Sequence, residues 1–203
     1  PSVGPMARFC NWLLPDRPED SGVARPRHLD RTALATPSLA LANAVRETLR
    51  IGDLIDTMLS QLLEVLRGSQ PALSKELRRL DDDVDALYSA VKLYLAQVSR
   101  DALSERDSRR WAEIIELTIN LEMASGLIER MLRKIQQQKT SQRRSFSEEG
   151  LEDLAGLQQQ LISNLRLGLS VFLSGDRESA RQLLREKRRF RAQERRLAHA
   201  PVS

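Results

Sequence analysis

The chain has 203 residues, of which 4% are aromatic and 30% charged, with one cysteine, two histidines and a net charge of +4. One cysteine excludes an intramolecular disulfide, and so few Cys and His residues leave neither a zinc-spaced cluster nor a nucleophilic triad. A chain rich in Leu, Ala, Arg, Glu and Gln has the composition of long helices rather than of a sandwich or an α/β enzyme.

Residues 1–35 are broken by Pro5, Pro15, Pro18, Pro26 and Gly22, and are expected to form an extended tether. An apolar patch at Met6, Phe9, Cys10, Trp12, Leu13 and Leu14 reads as the juncture just after a transmembrane helix, so the chain reads as a piece of a longer protein. Within the chain itself no stretch reaches the roughly 18 apolar residues that a membrane span needs.

Thr36-Pro37 predicts a helix start, with a hydroxyl cap and proline at the first position. The seam Leu41, Val45, Thr48, Gly52, Ile55, Leu59, Leu62 and Leu66 carries that helix to Gly68. Pro71 opens a second helix, to about Ser99, with Leu80, Val84, Leu87, Val91 and Leu95 on its apolar face. Ser104 and Asp107 open a third, whose seam is Ile114, Thr118, Leu121, Ser125, Ile128, Leu132 and Ile135. Short connections and matched lengths predict an up-down-up antiparallel bundle over residues 36–139. After a polar linker at Lys139–Arg144, a capping box at Ser145 and Glu148 predicts a fourth helix to about Leu173. Gly175-Asp176 breaks it and starts a fifth, to about Ala198, so residues 145–200 hold the first two helices of a second unit. Leu154, Leu157, Leu161, Leu165 and Leu169 form a seam there that is either buried on the first bundle or used to pair two copies as a homodimer.

Two charge features stand out. Asp81 and Asp85 lie one turn apart in the second helix, within the run Asp81-Asp82-Asp83-Val84-Asp85, and antiparallel packing could bring Glu122 of the third helix beside them. The run is either a solvated helix face or a site for a hard cation, with Asp53 and Asp56 as weaker further ligands. Between Asp176 and Ala200, nine basic residues oppose four acidic ones, which leaves the rest of the chain near −1. Three interleaved glutamates and a lone aromatic, Phe190, argue against nucleic acid; an acidic membrane surface and plain solvent are the other readings.

Three stretches together resemble the PhoU-like helical family, and more narrowly the cytoplasmic tail of bacterial sodium/phosphate cotransporters. They are Leu34-Ala35-Thr36-Pro37 with Leu39–Ala44, Arg46-Glu47 and Leu49–Asp53; Asp81-x-x-Val84-Asp85-x-Leu87-Tyr88 with Val91–Leu95; and Ile119–Ala124 with Ile128–Leu132. The resemblance implies two related three-helix units, a transmembrane carrier before Pro1 as partner, and a non-catalytic regulatory role in phosphate homeostasis at the cytoplasmic face of the membrane. A stand-alone helical scaffold unrelated to transport is the rival reading. Family members can bind metals through E/D-x-x-x-D motifs. Here Asp81 and Asp85 match one motif, while Glu122 begins a second that has Gly126 in place of its second carboxylate. The expectation is therefore a degraded site of Asp81, Asp85 and Glu122, with weak or no divalent metal and no other cofactor.

Overall fold

The computed structural model describes residues 24–68, 71–142 and 147–198. Five helices follow in order: α1 (Pro37–Arg67), α2 (Pro71–Ala96), α3 (Glu105–Gln142), α4 (Glu148–Ser174) and α5 (Arg177–Ala198). Short 3-10 turns at Arg31–Ala35 and Arg100–Ala102 lead into α1 and α3, and no strand occurs among the described residues. The fold is the all-α bundle that the sequence predicts: one three-helix unit followed by two further helices.

The reason lies in α1, which packs against α2, α3 and α4. A helix surrounded on three sides must be apolar around most of its girth. Accordingly Ala40, Ala44, Ile51, Met58 and Leu63 are buried beside the predicted seam, of which only Leu66 remains half-buried. Leu77, Leu80, Val84, Leu87, Val91 and Leu95 of α2 meet Ile114, Leu121, Ile128, Leu132 and Ile135 of α3 around it. The small polar seam residues fix how the helices align. Thr48 and Thr118 hydroxyls share a buried hydrogen bond of 3.0 Å, and Ser125 Oγ lies 3.4 Å from Met58 Sδ, so α1 and α3 run parallel. Trp111 Nε1 donates to the Leu95 carbonyl at 3.2 Å and Arg78 Nη2 to Gln136 Oε1 at 2.5 Å, so α2 runs against α3.

Helices α4 and α5 form a hairpin laid on this unit. The turn is made by Gly175 at φ 66°, a left-handed conformation that only glycine adopts without strain. Asp176 then caps α5 by accepting the Ser179 N–H at 2.7 Å. Along α1, α4 runs antiparallel: Leu169 crosses over Gly52, Arg166 pairs with both oxygens of Asp56 at 2.7 and 3.1 Å, and Gln158 donates to the Leu59 carbonyl. Ile162, Leu165 and Phe172 pack against the central core, while no residue of α4 is fully buried and Leu161 faces solvent. Part of the predicted leucine seam is thus covered by the first bundle. α5 lies on the far side of α4.

Several local expectations change. Thr36 occupies the cap position of α1, but its side chain makes no capping bond; Pro37 alone marks the start. Gly68 ends α1 in extended backbone (φ −139°), so no left-handed cap is needed there. α2 stops at Ala96 rather than Ser99, and α3 runs on through Lys139 to Gln142, taking in the first four residues of the predicted linker. The cap of α4 is Ser147, which accepts the Gly150 N–H at 3.1 Å. The proposed cap Ser145 and the patch Met6–Leu14 lie outside the described residues. Ser104 does cap α3: its Oγ accepts the Asp107 N–H at 3.1 Å and donates to Asp107 Oδ2 at 2.7 Å.

Candidate functional site

The largest departure from the sequence reading is in residues 24–36. From Ala24 onward the chain is not a free tether but a strap held across α1 and α2. Glu47 of α1, 0% exposed, accepts the backbone N–H groups of Arg27 and His28 on Oε2, both at 2.8 Å. Its other oxygen takes Arg50 Nη1 at 2.8 Å, and the same guanidinium nitrogen donates to the Arg25 carbonyl at 2.7 Å. Asp83 of α2, 3% exposed, accepts the Ala24 N–H at 2.5 Å and Arg79 Nη1 at 2.8 Å. Tyr94 Oη donates to the Asp30 carbonyl at 2.7 Å. Each buried carboxylate is therefore met by backbone donors and a guanidinium, which is the arrangement that makes burying a charge tolerable. Ala24, Leu29 and Leu34 add apolar contact with the core, and Ala33 is buried.

Sequence reasoning missed both latch residues, though one left a signal. Glu47 falls in a core register, three residues after Ala44 and four before Ile51, where a carboxylate needs a partner. Asp83 stands at the same spacing, three residues after Leu80 and four before Leu87, but the run of three aspartates beside Val84 masks which one turns inward.

The α2–α3 face holds the expected acidic group. Asp81 accepts the Ser125 hydroxyl of α3. The Asp85 carboxyl is pushed above the ordinary aspartate range, first by partial loss of solvent, then by the negative charges of Asp81, Glu122 and Asp82. Glu122 of α3 lies near enough for its charge to be felt by Asp85. Asp56 does not join them, being held by Arg166, and among the described residues no three His, Cys, Asp or Glu side chains are placed to hold one metal ion. Gly126 gives α3 no second carboxylate and one Asp81 oxygen is committed to Ser125, which leaves few donors for a hard cation. Titration with Mg²⁺, Mn²⁺ or Zn²⁺ is expected to give weak heats at most; tight binding abolished by Asp81→Ala would refute this.

The raised Asp85 pKa sets a pH dependence. A carboxyl easier to protonate when folded contributes stability below its unfolded value of 3.8 and loses that contribution as pH rises through the higher folded value. Asp85→Asn is therefore expected to raise the melting temperature at pH 7 and to have no stabilising effect below about pH 3.8. Melting curves at the two pH values check this; water screening of the exposed side chain keeps the gain small.

Just beyond this group Lys92 Nζ sits 4.7 Å over the Tyr88 ring, at the edge of a cleft of about 400 Å³ shared with Trp111, Ile115 and Ile119. In α5 the basic residues from Arg177 to Arg196 all face solvent, while Leu183, Phe190 and Leu197 are half-buried.

Among the described residues no helix is long and apolar enough to cross a membrane. The model of the PhoU domain family matches residues 48–135. This stretch takes in most of α1, all of α2 and most of α3. The chain is also similar to "Putative inorganic phosphate export protein YjbB" from Escherichia coli K12 and O157:H7, at 54% identity over 202 residues. The Salmonella typhimurium protein of that name is 54% identical over 197 residues. The match covers all of this chain for the Escherichia coli proteins but 37% of their length, so the chain spans little more than a third of these relatives. No solved structure gives a significant match. Residues 48–135 thus match the PhoU domain model, in a chain similar along its length to about a third of relatives named as putative inorganic phosphate export proteins.

Proposed function

We propose that this chain is the cytoplasmic regulatory domain of a sodium-dependent inorganic phosphate carrier, acting in phosphate homeostasis at the inner face of a bacterial membrane. It works without catalysis, by biasing the carrier between states. The observation that carries the reading is the strap. A domain that senses or sets the state of a neighbour needs a stiff connection to it. Glu47 and Asp83 supply one by clamping the backbone of residues 24–28 against two core helices. The PhoU domain match and the name of the relatives support phosphate as the solute. The exposed basic row of α5 faces acidic lipid in this arrangement.

The test is phosphate flux in bacterial cells lacking other phosphate carriers. The longer protein that contains this chain is compared with a version lacking residues 24–203 and with Glu47→Ala/Asp83→Asn. Expected is sodium-dependent flux whose response to phosphate level changes in both variants. Flux and response identical in all three would overturn the reading.

A further inference from the structure

A second surface lies at the end of the bundle where α1 and α3 begin and α4 ends. A cleft of about 750 Å³ opens there, with Arg46 of α1 and Arg106, Arg109 and Arg110 of α3 around it. The charges are not balanced locally. Arg109 pairs with Glu105 at 2.5 Å and Arg110 with Glu113 at 3.0 Å, while Arg46 and Arg106 meet no carboxylate within ion-pair distance among the described residues. The other acid on the wall, Asp107, is engaged by the Ser104 hydroxyl.

Three further observations point the same way. The Arg110 guanidinium lies 4.2 Å over the Phe172 ring and is braced by Glu113, so it is held in place before any ligand arrives. The first turn of α1 contains no acidic residue and lacks a side-chain cap, so its positive dipole end is uncompensated, and Ser38 of that turn lines the cleft. The remaining wall is apolar, made by Leu41, Val45 and Leu173.

We propose that this cleft binds a phosphate ester: a dianionic head taken by the guanidinium forks of Arg46 and Arg106, with an apolar body against Leu41, Val45 and Leu173. Guanidinium is the group suited to bidentate phosphate recognition. An apolar wall adds nothing for a bare oxyanion, so an ester outbinds inorganic phosphate. Two sources share this chemistry, a free phosphorylated metabolite and the headgroup of an anionic phospholipid. The inference concerns this chain alone and stands whatever becomes of the carrier reading.

Calorimetric titration of the 203-residue chain tests it. The probes are inorganic phosphate, a water-soluble short-chain phosphatidic acid, and vesicles of phosphatidylcholine with long-chain phosphatidic acid. Expected is one short-chain phosphatidic acid per chain, bound more tightly than inorganic phosphate, with affinity about tenfold or more lower in Arg46→Ala/Arg106→Ala. Both arginines are exposed and meet no carboxylate among the described residues, so the variant keeps its helix content by circular dichroism. Arg188→Ala/Arg189→Ala on α5 serves as the control and binds normally. Vesicle binding lost in the cleft variant assigns a lipid headgroup; binding of the soluble probe without vesicle binding assigns a free ester. Failure of every probe to bind, or an equal loss in the α5 control, overturns the proposal.

Discussion

Replacing Glu47 with alanine is expected to release the strap and to lower the stability of the chain by about 3 kcal/mol. The side chain accepts three hydrogen bonds from Arg27, His28 and Arg50, all at 2.8 Å, with no exposure to water. Removing it strands two backbone donors and one guanidinium, and leaves a cavity at the α1 surface. Hydrogen exchange reads the effect directly: the amides of Arg27 and His28 should lose protection while those of the α1–α3 core keep theirs. Glu47→Gln separates charge from shape. With its oxygen in the Oε2 position it can still accept both strap N–H groups, but it gives Arg50 neither acceptor nor counter-charge, and should fall between wild type and alanine. Unchanged protection of Arg27 and His28 in Glu47→Ala would show that apolar contacts, not the carboxylate, hold the strap.

Replacing Gly52 with valine is expected to lift the α4–α5 hairpin from α1. A Cβ there would lie 2.6 Å from Leu169 Cδ1 and 2.8 Å from Cδ2, closer than real contacts allow. Alanine is the milder case, because the end of a leucine side chain can swing aside and alanine gains about 1 kcal/mol in helix propensity. Valine adds two branches at the crossing point and should cost about 1–3 kcal/mol. The hairpin has little to resist with, since it has no fully buried residue in α4 and is held by Leu165, Phe172, Arg166 and Gln158. Amide protection should therefore fall in α4 and α5 and persist in α1, α2 and α3. A uniform loss across all five helices would mean that hairpin and bundle form one cooperative unit.

The helices were legible because three-to-four residue periodicity is written in long stretches such as Leu80-Val84-Leu87-Val91-Leu95, and because Ser104 and Asp176 cap with their side chains. That the charge of Glu122 reaches Asp85 was legible for the same reason, as antiparallel neighbours fix which turns face each other. The strap was not. Its hold comes from backbone N–H groups, which carry no residue-type signature, and proline at Pro26 marks a break from helix without saying where the extended chain goes. The arginine cleft was equally hidden. Arg46 and Arg106 are 60 positions apart, and only the parallel course of α1 and α3 sets their first turns side by side.

The order of attachments along the strap has a mechanical consequence. Ala24, then Arg27 and His28, then Asp30 are fastened at successive points, to Asp83, Glu47 and Tyr94. A pull from the N-terminal side meets them one after another, as a zip is opened, rather than all at once in shear. Small displacements would then be absorbed at Asp83 alone, and larger ones would reach Glu47 before any load arrives at the first turn of α1. The domain would answer tension in steps, each set by one side chain, while its helical core stays at rest.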